Sequence, residues 1–450
     1  MSKLLLNYNE KPSKGRWAML SFQHVFAMFG ATILVPRLTG LPISVSLFTA
    51  GVGTLIYIFF TKRKVPMFLG SSFAYIGAIL SVYASTGNWG AVLTGLFVAG
   101  MVYVIIAIVI RFVGSGWLQN LLPSLIVGPM IIIIGLSLAN VAVGSAGLVD
   151  GGSIKVILTA VVSFFTVVFV ALRGKGFAKV IPFLIGIGAG LLFASLAEIL
   201  FPGGIIDGVD TRLIQFDVIW NAIKTPAEWI KIPAFIFPWF ENTTVNVLST
   251  TITFQQASFA GVLTIAPIAL VTAAEHIGDH QVLGSITDSN YLDDPGLHRT
   301  LMGDGVATAV AALFGGPANT SYGENTSVVG ITKVGSVWVT GAAAIIAILL
   351  SFVNVIMVLI AQIPSAVLGG ISIVLYGFIA GNGLKVMIQH RVDLTKSRNL
   401  IIVSAMLVLG LGGAVINIGG VEVKSMALAA VVGILLNQIL PQEREMESIE

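Results

Sequence analysis

Cysteine is absent from the chain, so neither a disulfide framework nor a thiolate metal site can be built from it. Charge is scarce as well: Asp, Glu, Lys and Arg make up 10% of the 450 residues, where a soluble domain carries about 25%. No GxxxxGK[ST] phosphate loop occurs, which argues against ATP-driven work. There is no HExxH, and the five histidines are scattered, so no resident metal or other cofactor is expected. A short apolar core followed by a small-residue cleavage site is missing from "MSKLLLNYNEKPSKGRW", so no removable signal peptide is expected. The net charge of +3 singles out no partner class, and no nucleic-acid partner is expected.

What is abundant is apolar surface, with 56% hydrophobic residues and a mean hydropathy of +0.96. A spanning helix needs about 20 apolar residues, so the composition specifies an all-α polytopic membrane protein embedded in a lipid bilayer. Apolar runs read as spans at 17–35, 44–60, 74–84, 91–110, 122–141, 154–172 and 181–200 in the first half. The second half adds 263–286, 301–314, 323–331, 334–361, 366–380, 400–415 and 425–440. With both termini cytoplasmic, 18 of the 24 Lys and Arg residues fall on the inner side, against Arg37, Lys155, Arg212, Lys224, Lys231 and Lys424 outside. That asymmetry supports an even span number and an inner-membrane protein with this orientation.

An internal repeat is visible. "LPSLIVGPMIIIIGLSLA" from Leu122 and "IPSAVLGGISIVLYGFIA" from Ile363 share Pro-Ser, a glycine five residues after the proline and a closing alanine. At a similar offset, "LGSSFAYIG" (69–77) pairs with "NTSYGENTSVVG" (319–330); each has Ser or Thr before an aromatic and is too polar or glycine-rich for a full span. Seven spans per half invert the second copy, and paired interrupted segments point to a binding site at the midplane. Short extended stretches are therefore expected in spans three and ten. A Ser-Ser-Phe stretch at Ser72 and Phe73, or a Thr-Ser-Tyr stretch ending at Tyr322, opens a half-helix whose first N–H groups are free for a ligand. The partial positive charge there suits a planar molecule with carbonyl oxygens, or an anion.

The eighth span, "LTIAPIALVTAAEHIGDHQVLGSI", carries Glu275 near its centre. Glu275 and Asp279 share a face, with His276 turned about 100° away. Ionisable groups at a helix centre cost about 2.5–3.5 kcal/mol each, so Glu275 and Glu324 are read as functional. A carboxyl buried without a cation favours its protonated form and can then donate as well as accept a hydrogen bond. Asp279 reads either as functional or as lying near the cytoplasmic end. Asp304, in "LMGDGVAT", reads either as a helix cap or as part of cation coupling. His24 reads either as a satisfied core histidine or, with Gln23, as facing the cavity. "TDSNYLDDPGLHR" lacks calcium-loop spacing and is read as a cytoplasmic turn. The outer connection, with "AEWIKIPAFIFPWF", is expected to lie at the membrane interface as an amphipathic element.

The motifs "LSFQHVFAMFGATILVP", "GSSFAYIGAI", "AEHIGDH", "GDGVAT" and "NTSYGENTSVVGITK" resemble the nucleobase/ascorbate transporter family, in particular its bacterial uracil permeases. The resemblance runs in order over nearly the whole chain. It implies a core domain of spans one to four (17–110) and eight to eleven (259–361). It also implies a gate domain of spans five to seven (121–200) and twelve to fourteen (362–440), with 201–258 as an extracytoplasmic connection. The activity implied is proton-coupled uptake of uracil by an elevator-like movement, in a homodimer and without enzymatic chemistry. In that resemblance the base is held by Glu275 and Glu324, with backbone at Phe73 and Gly323 and the ring of Tyr322 nearby. Glutamate at 324 is similar to the uracil branch, where purine transporters more often have glutamine. Two positions depart from the pattern: Ser327 stands where a glycine is usual, and Asp279 where a uracil:proton symporter has histidine. A xanthine or other purine permease is the nearest alternative, and an anion exchanger of the same architecture a more distant one.

Overall fold

The computed structural model describes residues 4–206, 209–237, 243–247, 250–254, 257–418 and 421–441. Lys3 and Arg444, counted above on the inner side, and the 238–240 end of the aromatic connection lie outside the described residues. Among the described residues, seven helices are long and apolar enough to cross a membrane: Lys14–Thr39, Ile43–Phe60, Trp89–Val113, Ser124–Ser145, Ile154–Arg173, Pro182–Leu200 and Ser365–Gln389. Phe259–Ile265 and Ile268–Thr287 form one bent span, turned by 43°. Pro267, lacking an N–H, sits in the break between them. Four shorter apolar helices, Phe73–Thr86, Val337–Ser351, Ser397–Leu411 and Ser425–Ile439, join Leu297–Leu313 and Gly323–Thr332 to complete the fourteen segments.

The two halves pack in matching ways. Span four lies on span nine as span eleven lies on span two, and spans six and seven pair as thirteen and fourteen do. Spans two and nine, and five and twelve, each pack on their own counterpart. In the five–twelve contact, a Cβ on Gly135 would lie 2.5 Å from the Tyr376 carbonyl oxygen, and one on Gly383 would lie 2.5 Å from the Gly128 carbonyl oxygen. Rising numbers on one helix meet falling numbers on the other, so the two copies of the Pro-Ser segment run antiparallel. Small residues permit this backbone approach in a bilayer, where van der Waals packing drives helix association. Spans one to four pack mainly with eight to eleven, and five to seven mainly with twelve to fourteen.

The connection between the halves is partly a surface element. Helix Phe216–Lys224 buries Ala222 and exposes Phe216, Trp220 and Ile223, as an interfacial amphipathic helix would. The aromatic stretch departs from that expectation in part. Its Ile236 is fully buried, and its amide donates to the Phe314 carbonyl at 3.1 Å. The Phe235 ring packs against Phe48 at 4.9 Å and Phe314 at 5.4 Å. Trp229, Ile230 and Ile232 stay exposed as expected of an interfacial element, while the following 233–236 segment is pinned across the ends of spans two and nine.

Candidate functional site

Spans three and ten begin as extended chain. Leu69–Ser71 pairs antiparallel with Asn319–Ser321, with Gly70 opposite Thr320. Every unsatisfied backbone group at this depth costs several kcal/mol, so irregular chain must find partners. The Tyr322 amide donates to the Phe68 carbonyl at 3.0 Å, and the Ser72 amide to the Ala318 carbonyl at 2.9 Å. Span hydroxyls supply the rest: Thr54 Oγ1 accepts from the Leu69 amide at 3.0 Å, and Thr308 Oγ1 donates to the Asn319 carbonyl at 2.6 Å. The Asn319 amide nitrogen donates to the Thr49 carbonyl at 2.7 Å.

Each strand then turns into a half-helix. Ser72 precedes the single turn Phe73–Tyr75 that runs on to Thr86, and Tyr322 precedes Gly323–Thr332. Neither Ser72 nor Tyr322 caps its helix through a side chain, so the two N-termini carry the orphan amides of helix starts. Phe73 and Glu324 line one narrow cleft, with Phe26, Phe183 and Ile371 opposite or beside them. Tyr322 is buried at 3% exposure, and its hydroxyl donates to the Ser71 carbonyl at 2.7 Å. Its ring therefore braces the crossing and does not form a wall of the cleft. Ser72 is buried too.

Span eight presents two faces. Glu275 is accessible although it lies within the protein, and Asp279 is half-accessible on the same face. A Cβ on Gly323 would lie 3.7 Å from Asp279 Oδ1, so Asp279 sits at the start of the tenth-span half-helix and not at the cytoplasmic end. Glu275, Asp279, Glu324 and Asp304 are close enough to interact electrostatically. The other face carries His276 and His280, both 1% exposed. His276 Nδ1 lies 2.7 Å from Asp304 Oδ2, and the two imidazole rings stack with centroids 3.9 Å apart.

Asp304 is no helix cap. Its helix runs Leu297–Leu313, which puts it two turns inside, fully buried and accepting from the Ser321 amide at 3.4 Å. His24 is a satisfied core histidine: Asn325 Nδ2 reaches its Nδ1 and its carbonyl oxygen, both at 3.1 Å. Ser327 is exposed and donates to the Gly323 carbonyl of its own helix at 3.1 Å, so a side chain at this glycine position disturbs no helix packing. The sequence reading missed the pairing of His276 with Asp304 and of His24 with Asn325. Its one available signal was that His276 and His280 repeat the four-residue spacing of Glu275 and Asp279. Among the described residues, no group of three or more His, Asp or Glu is placed to hold a metal ion.

Comparison with known proteins agrees with this architecture. Over 98% of its length the chain is 43% identical to the uracil permease of Bacillus subtilis (strain 168), covering 97% of that protein. It is 42% identical to the uracil permease of Bacillus caldolyticus, over 98% of this chain and 96% of that one. The uracil permease of Escherichia coli (strain K12) is 38% identical over 98% of this chain and 94% of its own. Among solved structures, the transmembrane domain of a cyanobacterium bicarbonate transporter, BicA, superposes with a TM-score of 0.60 at 14% identity, covering 95% of this chain and 100% of that one. At that identity the likeness speaks for the fold alone. These relatives are transporters and not enzymes, and residues 15–419 match the profile described as the permease family. The chain is therefore a multi-pass membrane transporter that belongs to the permease family.

Proposed function

We propose that this permease imports uracil across the cytoplasmic membrane together with protons, with both termini on the cytoplasmic side. The observation that carries the reading is that Glu275 lies within electrostatic reach of Glu324, which stands in the first turn of the tenth-span half-helix and shares a cleft with Phe73 of the third-span half-helix. Uracil is a planar ring that alternates N–H donors with carbonyl acceptors. Carboxyls at Glu275 and Glu324 can accept its N–H groups, and the amides near Phe73 and Gly323 can donate to its carbonyls. Ser72 and Tyr322 hold the strands that aim those amides. Relatives named as uracil permeases support this choice of base. Asp279 and Asp304 join Glu275 and Glu324 as the groups for proton coupling.

The movement is of elevator type. Spans one to four (17–110) and eight to eleven (259–361) form the core that carries the base, against a gate of spans five to seven (121–200) and twelve to fourteen (362–440). Residues 201–258 link the halves on the extracytoplasmic side. The packing of each group mainly within itself supports this division, and the cleft at Phe73 and Ile371 lies between the two groups. The protein works as a homodimer in the bilayer. An anion-exchange reading is disfavoured by the two carboxyls at the site, which repel an anion whenever they are ionised.

The test is uptake of labelled uracil into proteoliposomes carrying an inward proton gradient. Glu275→Gln and Glu324→Gln should each abolish accumulation, and 5-fluorouracil should compete where xanthine does not. Accumulation independent of the gradient would remove the coupling, and displacement by xanthine would move the substrate to the purines.

A further inference from the structure

His276 and Asp304 face each other from spans eight and nine, at 1% and 0% exposure. Their 2.7 Å contact has the length of a charge-assisted hydrogen bond. Asp304 Oδ1 and His276 Nε2 are buried without a partner. With the carboxylate ionised and the imidazole neutral, Nδ1–H donates to Asp304 Oδ2 and the lone pair on Nε2 is unused. That state buries a net negative charge, which a low-dielectric interior penalises. Binding one proton at Nε2 brings the pair to zero net charge.

His280 limits the count to one. Its Nδ1 lies 2.7 Å from the His276 carbonyl oxygen, to which it donates, and its Nε2 accepts from the Tyr57 hydroxyl. Both ring nitrogens are committed in the neutral form, and the ring lies stacked on His276. His280 also lines a recess with Gln281, Asp288 and Asn290, one ring away from the pair.

The titratable groups around the pair are tyrosines and carboxyls. Tyr57 reaches it from span two, Tyr75 from the third-span half-helix and Tyr103 from span four, with Tyr291 of the turn after span eight beside Tyr57. Glu275 and Asp279 lie on span eight itself and Glu324 on span ten. None of these is a cation, so the pair has no fixed positive charge to offset its own.

We propose that His276 is the proton partner of Asp304, so that this pair holds the coupled proton behind the strand crossing, apart from the carboxyls that face the base. The assignment rests on the proton-coupled reading of the transporter. One proton enters at His276 Nε2 while Nδ1–H stays on Asp304, and the same proton leaves from Nε2. Ser321 links the pair to the base site: its amide and hydroxyl lie 3.4 and 3.5 Å from Asp304 Oδ2, and its chain leads directly to Tyr322, Gly323 and Glu324.

The experiment uses the full-length protein in proteoliposomes with labelled uracil. His276→Asn keeps a donor for Asp304 Oδ2 but has no nitrogen that titrates. Uracil counterflow, which needs no net proton movement, should stay within about twofold of wild type, while gradient-driven accumulation should fall at least about tenfold and lose its dependence on pH. His280→Phe, which keeps a ring to stack, should retain both accumulation and pH profile. A His276→Asn protein that accumulates uracil with the wild-type pH profile overturns the assignment. So does parallel loss of counterflow in a folded variant, or uncoupling in His280→Phe alone. Wild-type accumulation indifferent to the gradient sinks the coupled reading itself, whereas a gradient-driven wild type with an unchanged His276→Asn variant sinks only this assignment.

Discussion

Gly70→Ala tests whether the strand crossing sets the position of the tenth-span half-helix. A Cβ at residue 70 would stand 2.5 Å from Tyr322 Cζ and 2.8 Å from Thr32 Oγ1. Carbon atoms pack at about 3.5–4.0 Å, so the tyrosine ring has to move by about 1 Å. It has no free side to move into, being only 3% exposed. Overpacking of this kind costs about 1–3 kcal/mol. A shifted ring also gives up the 2.7 Å bond from its hydroxyl to the Ser71 carbonyl, leaving a buried acceptor unsatisfied at about 1–3 kcal/mol. The expected destabilisation is therefore about 2–6 kcal/mol. Gly323 and Glu324 follow Tyr322 directly, so uracil affinity should fall with stability. Thermal melting of purified protein and binding of labelled uracil measure the two effects. Tyr322→Leu removes the clashing ring atoms and leaves only the Thr32 Oγ1 contact, so the double variant should lose less than the sum of the two single penalties, a non-additivity expected of contacting residues. Wild-type melting and affinity in Gly70→Ala, or penalties that add in the double variant, would refute the argument.

Asn325→Ala removes both hydrogen bonds to His24 at a buried position, and melting should show a loss of about 1–3 kcal/mol. Ser327→Gly takes away an exposed hydroxyl bonded to its own helix, so it should cost at most about 1 kcal/mol from helix propensity and leave uracil affinity unchanged. A large affinity change in that variant would mean that Ser327 touches the base. Lys64→Ala breaks an ion pair to Asp294 whose side chains are 33% and 70% exposed; melting should register about 0–1 kcal/mol, shrinking further in salt.

Polarity makes the interrupted segments legible in the sequence itself. A bilayer penalises each unpaired backbone group, so chain that leaves the helix there must carry the glycines and hydroxyls seen in "LGSSFAYIG" and "NTSYGENTSVVG". Scarcity of charge made Glu275 and Glu324 stand out in the same way. The partners that satisfy the crossing were not legible. Thr49, Thr54 and Thr308 are isolated hydroxyls in apolar spans, and only the packing of spans two and nine against the strands gives them a role. Of the two readings of Asp304, the true helix start removes the cap. Read from Leu301, it falls in the first turn, where acidic residues cap; with the helix starting at Leu297, it lies inside and must find a partner across the interface.

That partner ties the two faces of span eight together. Glu275 and His276 are adjacent on one rigid helix, so their directions differ by a fixed angle of about 100°. Glu275 meets the accessible side near Glu324, and His276 meets Asp304 on the buried side. Any rotation of span eight that carries Glu275 toward or away from a bound base must also move the His276 ring against Asp304. Because Asp304 accepts from Ser321, the same rotation pulls on the strand that opens the Glu324 half-helix. On the proposed reading, one rotation of span eight would therefore act on Glu275 at the base and on the buried pair together.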